Sequence, residues 1–165
     1  MKNINNEKIK SITKDAITII LTMAITFLFS KYIVGITVVC GDSMNDTYKN
    51  TQLLLTNKLN KDPERFEVLV FDHDGEALIK RVIGLPGETI RIDSEGNIYI
   101  NDEILSENYG KAPIKDPGRA LNDITLENNE YFVLGDNRNN SLDSRTEMIN
   151  NITKENIIGT IFFSK

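Results

Sequence analysis

The chain has 165 residues, 40% of them hydrophobic and 26% charged, which is one domain's worth of ordinary globular composition and argues against a repeat array, a polytopic membrane protein or wholesale disorder. Its net charge of -5 is unevenly placed: residues 1–39 carry a net +3 and residues 40–165 carry 14 basic against 22 acidic side chains, a net -8. An acidic body without a basic patch argues against nucleic acid as partner, and a single cysteine with a single histidine leaves neither an internal disulfide nor a zinc site of His and Cys ligands.

Residues 1–15 read as a polar tail. Across residues 16–30 the run AITIILTMAITFLFS carries no charge, and as a helix it would span about 22 Å, a little short of a bilayer core. Lys14 and Lys31 can extend their stems to keep their ammonium groups at the headgroups, and Tyr32 falls at an interfacial position, so residues 16–32 are expected to form one thinly matched transmembrane helix. Lys2, Lys8, Lys10 and Lys14 precede it, which orients the tail to the cytoplasm and residues 33–165 to the outer face. A cleaved signal peptide is disfavoured because SKYIVGITVVC holds no A-x-A pattern, and a lipoprotein signal because bulky Val39 precedes Cys40. A buried core helix is the competing reading.

After the anchor the periodicity shortens to that of strands. They are expected at 33–39, 52–57, 68–71, 77–83, 89–92, 98–100, 131–134 and 157–163, making the body mainly β. Turn chemistry separates them at Asp72-His73-Asp74-Gly75, Leu85-Pro86-Gly87, Ser94-Glu95-Gly96-Asn97 and Asp116-Pro117-Gly118. Ile90 and Ile92 fall on one face with Ile98 and Ile100, which predicts a hairpin over 89–101. Residues 106–130 are polar, hold two of the four prolines, and read as a surface excursion with little regular structure. His73 reads as a turn residue and Cys40 as strand-end packing.

Three segments carry candidate chemistry. Gly41-Asp42-Ser43-Met44 follows an apolar strand; alone it is compatible with a simple Asx- or Ser-turn. In a strand over 77–83, Leu78, Lys80 and Val82 share one face and Ile79, Arg81 and Ile83 the other, so each cation interrupts an apolar row. One of the two is expected at an edge or rim. The other would be desolvated, which lowers a lysine's pKa. The stretch from Gly135 to Arg145 places nine polar side chains in eleven positions, either a solvated loop or a buried hydrogen-bonded brace.

Together they supply a serine nucleophile and a lysine base with no histidine required. An ordinary lysine is neutral in only about one molecule in two thousand at pH 7. Lowering its pKa by about three units costs about 4 kcal/mol, which an apolar surround can supply. A carboxylate on the ammonium would undo this, so a neutral hydroxyl such as Ser141 suits it as orienting partner, leaving Asp143 to Arg145.

These segments, Gly41 to Thr47, Lys80 to Glu88 and Gly135 to Arg145, resemble the signature boxes of type I signal peptidases, in that family's order and behind an N-terminal anchor. The resemblance implies a membrane-bound serine endopeptidase with an all-β catalytic domain on the outer face, which removes signal peptides from secreted preproteins without metal or organic cofactor. It implies Ser43 as nucleophile, Lys80 as general base, Ser141 as the serine that hydrogen-bonds the lysine, and Asp143 with Arg145 as a supporting ion pair. Gly41, Asp42 and Met44 fall to the oxyanion and substrate contacts beside Ser43.

The chain departs from the pattern at Asp46, where the family has proline, at Tyr48 for leucine, and at Phe66-Glu67 for Gly-Asp. With glycine at position 41 an oxyanion hole must lean on the Ser43 N–H and another donor. Two other readings remain open: a LexA-like self-cleaving protease, for which Cys40-Gly41 would be the scissile pair, and a degenerate membrane-anchored β-module.

Overall fold

The computed structural model describes residues 2–110 and 112–163, with side chains from Lys10 onward. Its first element, α1, is an α-helix over Lys2–Tyr32. The helix therefore continues through most of the stretch read as a polar tail. No Gly or Pro interrupts residues 2–32, and the Thr13, Thr18 and Thr22 hydroxyls each donate back to a carbonyl of the preceding turn at 2.9 Å, so nothing breaks the backbone ladder at residue 16. Lys10–Tyr32 is long and apolar enough to cross a membrane. Every residue of that span is exposed, Ile17, Ile20, Met23 and Phe27 included, so the apolar surface runs round the helix instead of forming one stripe against the body.

Only Ile33 separates α1 from β1 (Val34–Val38). There follow β2 (Leu53–Asn57), β3 (Val68–His73), β4 (Glu76–Gly84), β5 (Thr89–Ile92), β6 (Ile98–Ile100), β7 (Glu103–Ile104), β8 (Ile124–Thr125), β9 (Glu130–Leu134), β10 (Ile152–Thr153) and β11 (Ile157–Ile161). They form a seven-stranded sheet in the order β1-β2-β11-β3-β4-β9-β10 and a four-stranded sheet in the order β7-β6-β5-β8. The body is mainly β, as the periodicity predicts. The hairpin over 89–101 has the expected register, with Ile90 opposite Ile100 and Ile92 opposite Ile98. The turn between β3 and β4 places Asp74 and Gly75 at φ 53° and 85°, the left-handed conformation a two-residue hairpin demands.

Residues 106–130 are more ordered than their polarity suggests. Gly118–Leu121 forms a 3-10 turn, and Ile114, Ala120, Ile124 and Leu126 join the core made by the β5–β6 isoleucines with Ile83, Phe132 and Leu134. A few apolar anchors suffice to hold the excursion against the small sheet. A second core surrounds the turn after β1: Val39, Met44, Tyr48, Leu54, Val68, Val70, Ile79 and Ile161. By contrast Ile36, Val38, Leu53 and Leu55 are exposed on β1 and β2, a continuous apolar face beside the end of α1.

Among the described residues, two of the unpaired strand edges matter for the site. β1 ends its sheet, and β4 pairs with β9 only over Arg81–Gly84, so its Glu76–Lys80 stretch has a partner only on the β3 side. The sheet curls until these edges face one another across an open groove of about 850 Å³, lined by residues of both strands.

Candidate active site

Beyond β1 the chain turns sharply. Gly41 has φ +87°, and its N–H donates to Asn50 Oδ1 at 3.1 Å. The backbone then coils, with Asn45 N–H donating to Asp42 O and Tyr48 N–H to Met44 O, and Met44 is driven into the second core. Asp46 sits exposed in this turn, and Tyr48 fills the core position, so both departures fit where they fall. The turn lifts Ser43 into the groove. Among the described residues its N–H has no hydrogen-bond partner, whereas its carbonyl accepts from Asn137 N–H at 2.9 Å.

Lys80 enters from the middle of β4. Its Nζ donates to Ser43 Oγ at 2.8 Å and to Ile79 O at 3.0 Å, and the side chain is 4% exposed. Burial lowers its pKa from 10.5 to about 8, although the Asp143 and Asp136 charges pull it back upward. Neither carboxylate touches the ammonium. Asp143 accepts from Arg145 Nε at 2.8 Å and Nη2 at 2.9 Å, and from Gly135 N–H at 3.1 Å. Asp136 accepts from Arg81 Nε at 2.7 Å and Nη2 at 2.6 Å.

Arg81 is a correction to the strand reading. Neither cation is at a rim: Arg81 is 0% exposed, on the opposite face of β4 from Lys80. Besides Asp136 it donates to Phe66 O at 2.7 Å, and its guanidinium lies 3.5 Å from the centroid of the Tyr109 ring. Thr47 Oγ1 also donates to Asp136. Phe66 stands where the family pattern has glycine and adopts φ +71°, a left-handed conformation costly for a bulky residue. Its ring packs on Tyr109 at 5.5 Å between centroids.

The stretch from Gly135 to Arg145 is therefore a buried brace, not a solvated loop. Arg138 pairs with Glu107 and donates to Gly135 O at 3.1 Å, so three buried guanidiniums each have a carboxylate, and of the buried cations among the described residues Lys80 is the one without. Asn137 ties the brace to the serine turn through its backbone N–H and through Nδ2 to Asp42 O at 3.1 Å. Sequence reasoning missed Asn137, Asp136 and Arg138, although the polar density around them was a signal. Glu107 and Tyr109 gave none.

Ser141 differs from what the resemblance implies. Its Oγ is buried and, among the described residues, has no hydrogen-bond partner, so the expected bond to Lys80 is not made; Lys80 directs its protons to Ser43 and Ile79 instead. Cys40 is exposed rather than packed, and it lines the groove.

Gly135 sits between these parts. A Cβ there would lie 2.2 Å from Ser141 Oγ and 2.6 Å from Ser43 O. Gly135→Ala must displace the backbone of the serine turn, and a misplacement of about 1 Å costs about a hundredfold in rate. The expected result is that loss in kcat/KM with the β-sheet circular dichroism retained.

A family model described as signal peptidase, peptidase S26, matches residues 11–164. Signal peptidase I S of Bacillus subtilis (strain 168) is 35% identical over 177 residues, covering 99% of this chain and 94% of its own. Signal peptidase I of Bacillus amyloliquefaciens is 33% identical, covering 96% and 92%. Probable signal peptidase I-2 of Synechocystis sp. is 38% identical, and there the match covers 74% of this chain and 58% of the relative. A crystal structure of a signal peptidase I from Enterococcus faecalis V583 superposes with a TM-score of 0.49 at 30% identity, over 59% of this chain and 95% of that one. With a family match across nearly its whole length and relatives aligned almost end to end, the chain belongs to the signal peptidase family, peptidase S26, and with it to the serine peptidases.

Proposed function

We propose that this chain is a membrane-anchored serine endopeptidase that removes signal peptides from secretory preproteins with a Ser43–Lys80 dyad. The observation that carries the reading is the 2.8 Å bond between a buried, carboxylate-free Lys80 amine and the Ser43 hydroxyl. Neutral Lys80 takes the Ser43 proton, the alkoxide attacks the scissile carbonyl, and the protonated amine returns a proton to the leaving nitrogen. Water activated by the same amine then hydrolyses the acyl-enzyme. The unpartnered Ser43 N–H is one donor for the oxyanion; the Gly41 N–H, committed to Asn50, is not. Asp143, held by Arg145, and Ser141 are the supporting residues of this reading.

The free edges of β1 and β4 suit a preprotein bound as an added strand. Val39, Met44, Val70 and Ile79 line the apolar groove beside the dyad, which fits short side chains next to the cut. The exposed span of α1 anchors the enzyme in the bilayer with its N-terminus cytoplasmic, and the apolar face of β1 and β2 beds onto the outer lipid surface.

The test is incubation of the full chain in detergent with a secretory preprotein. The wild type is expected to cleave it at one site, and Ser43→Ala to be at least about a thousandfold slower with an unchanged fold. Absence of cleavage by the wild type, or an unaffected Ser43→Ala, overturns the reading.

A further inference from the structure

The junction between α1 and the body is clamped by a side chain that takes no part in the dyad. Lys58, the residue after β2, donates from Nζ to Ser30 O at 3.0 Å and to Lys31 O at 3.2 Å. These carbonyls belong to the last turn of α1, where the ladder leaves them without an intrahelical donor and the helix dipole favours a cation. The Lys58 backbone N–H donates to Ile33 O at 2.9 Å, so β2 grips both the helix end and the single connecting residue. Gly35 makes room for the stem: a Cβ there would meet Lys58 Cε at 2.7 Å. Glycine inside a strand gives up side-chain packing, and here its bareness lets the lysine cross β1 to reach the helix.

We propose that Lys58 is a positioning residue that sets the orientation of the catalytic body on its membrane helix, and so aligns the groove with a substrate whose own apolar segment lies in the bilayer. The inference rests on the preprotein reading for its kinetic consequence, but its geometric content does not. Ser30, at the end of α1, lines the same groove as Ser43 and Lys80, so the helix end and the dyad belong to one continuous surface. A substrate held at one end by lipid and at the other by the groove has two fixed points. Free rotation of the body about Ile33 would misalign them. A short soluble peptide spanning only the cleavage site is anchored at one point and follows the body wherever it turns.

The test uses the full chain in vesicles of phosphatidylcholine and phosphatidylglycerol, comparing the wild type with Lys58→Met, which keeps an unbranched stem and removes the donors, and with Lys58→Arg, which restores them. A donor dye on Cys40, the single cysteine, reports energy transfer to acceptor lipid at the bilayer surface. The expected result is a changed or broadened transfer in Lys58→Met and a wild-type value in Lys58→Arg. Lys58 also lines the groove, so in unlabelled protein the readout is the ratio of kcat/KM for a membrane-inserted preprotein to that for the soluble peptide, which should be about tenfold lower in Lys58→Met and recover in the arginine variant. Unchanged energy transfer in Lys58→Met overturns the proposal whatever the rates do, and so does a parallel fall on both substrates. If the wild type cleaves neither substrate, the preprotein reading fails, and the energy transfer alone decides whether Lys58 sets the orientation.

Discussion

Replacing Lys80 by methionine is expected to abolish cleavage and at the same time to make the fold more stable at pH 7. The folded state binds the Lys80 proton less tightly than the unfolded chain does, since burial lowers the pKa from 10.5 to about 8. Where the unfolded state holds more protons, stability rises with pH. The destabilisation by the buried ammonium is therefore complete below about pH 8, shrinks between there and 10.5, and vanishes above. Its size is about 3 kcal/mol at 1.36 kcal/mol per pH unit, less what the two hydrogen bonds of Nζ return. Thermal unfolding in detergent at pH 7 and at pH 10.5 checks this: Lys80→Met should melt higher than wild type at the first pH and lose that advantage at the second. A variant that melts lower at pH 7 would mean that the ammonium is well solvated where it stands. The same shift governs rate. In the wild type kcat/KM should fall about tenfold per pH unit on the acid side of a limb near 8, because the base acts only when neutral.

Asp136→Ala is expected to cost about 3 to 5 kcal/mol of stability, because it leaves the Arg81 guanidinium buried without its carboxylate. Both side chains of this pair are 0% exposed, so solvent screening offers no relief. For a chain of this size that is a fall of about 10 °C or more in Tm. The double replacement Arg81→Met with Asp136→Leu should recover much of the loss, since it leaves no buried charge unpaired, while Phe66 O and Thr47 Oγ1 lose their partners and keep the recovery incomplete. If Asp136→Ala melts within a degree of wild type, Arg81 has found water or another partner. The variant also carries a kinetic signature. Asp136 is one of the two charges holding the Lys80 pKa up, so in the fraction that stays folded the acid limb should move below that of the wild type.

Longer strands and the 89–101 hairpin could be read from period-two isoleucines, which need no partner to be seen. The two-residue strands β7, β8 and β10 could not, because two residues carry no period. Arg81 was misplaced for a related reason. Alternation shows that a cation interrupts an apolar row, but the carboxylate that makes its burial tolerable is 55 residues further along, and only tertiary structure brings them together. The excursion over 106–130 was read from its polarity, yet Ile114, Ala120, Ile124 and Leu126 set its course, Glu107 pairs with Arg138 of the brace, and Tyr109 lies against Arg81. Ser43 and Lys80 became candidates through chemistry and family resemblance together. Their 2.8 Å approach is a product of the curled sheet, which no spacing in the chain encodes. Ser141 shows the opposite limit: resemblance supplies a residue and a role, while the hydrogen bond that would perform it is not made among the described residues.

The two unpaired edges that face the groove bear on the breadth of clientele. Peptide amides and carbonyls are common to every polypeptide, so an enzyme that grips its guest through them is indifferent to most of the guest's spelling. On the proposed reading, discrimination then falls to the floor beside Ser43, which Met44 and Ile79 line. On that same reading, one body would serve many unrelated exports and would be defeated by bulk at the cut more than by any change of sequence upstream.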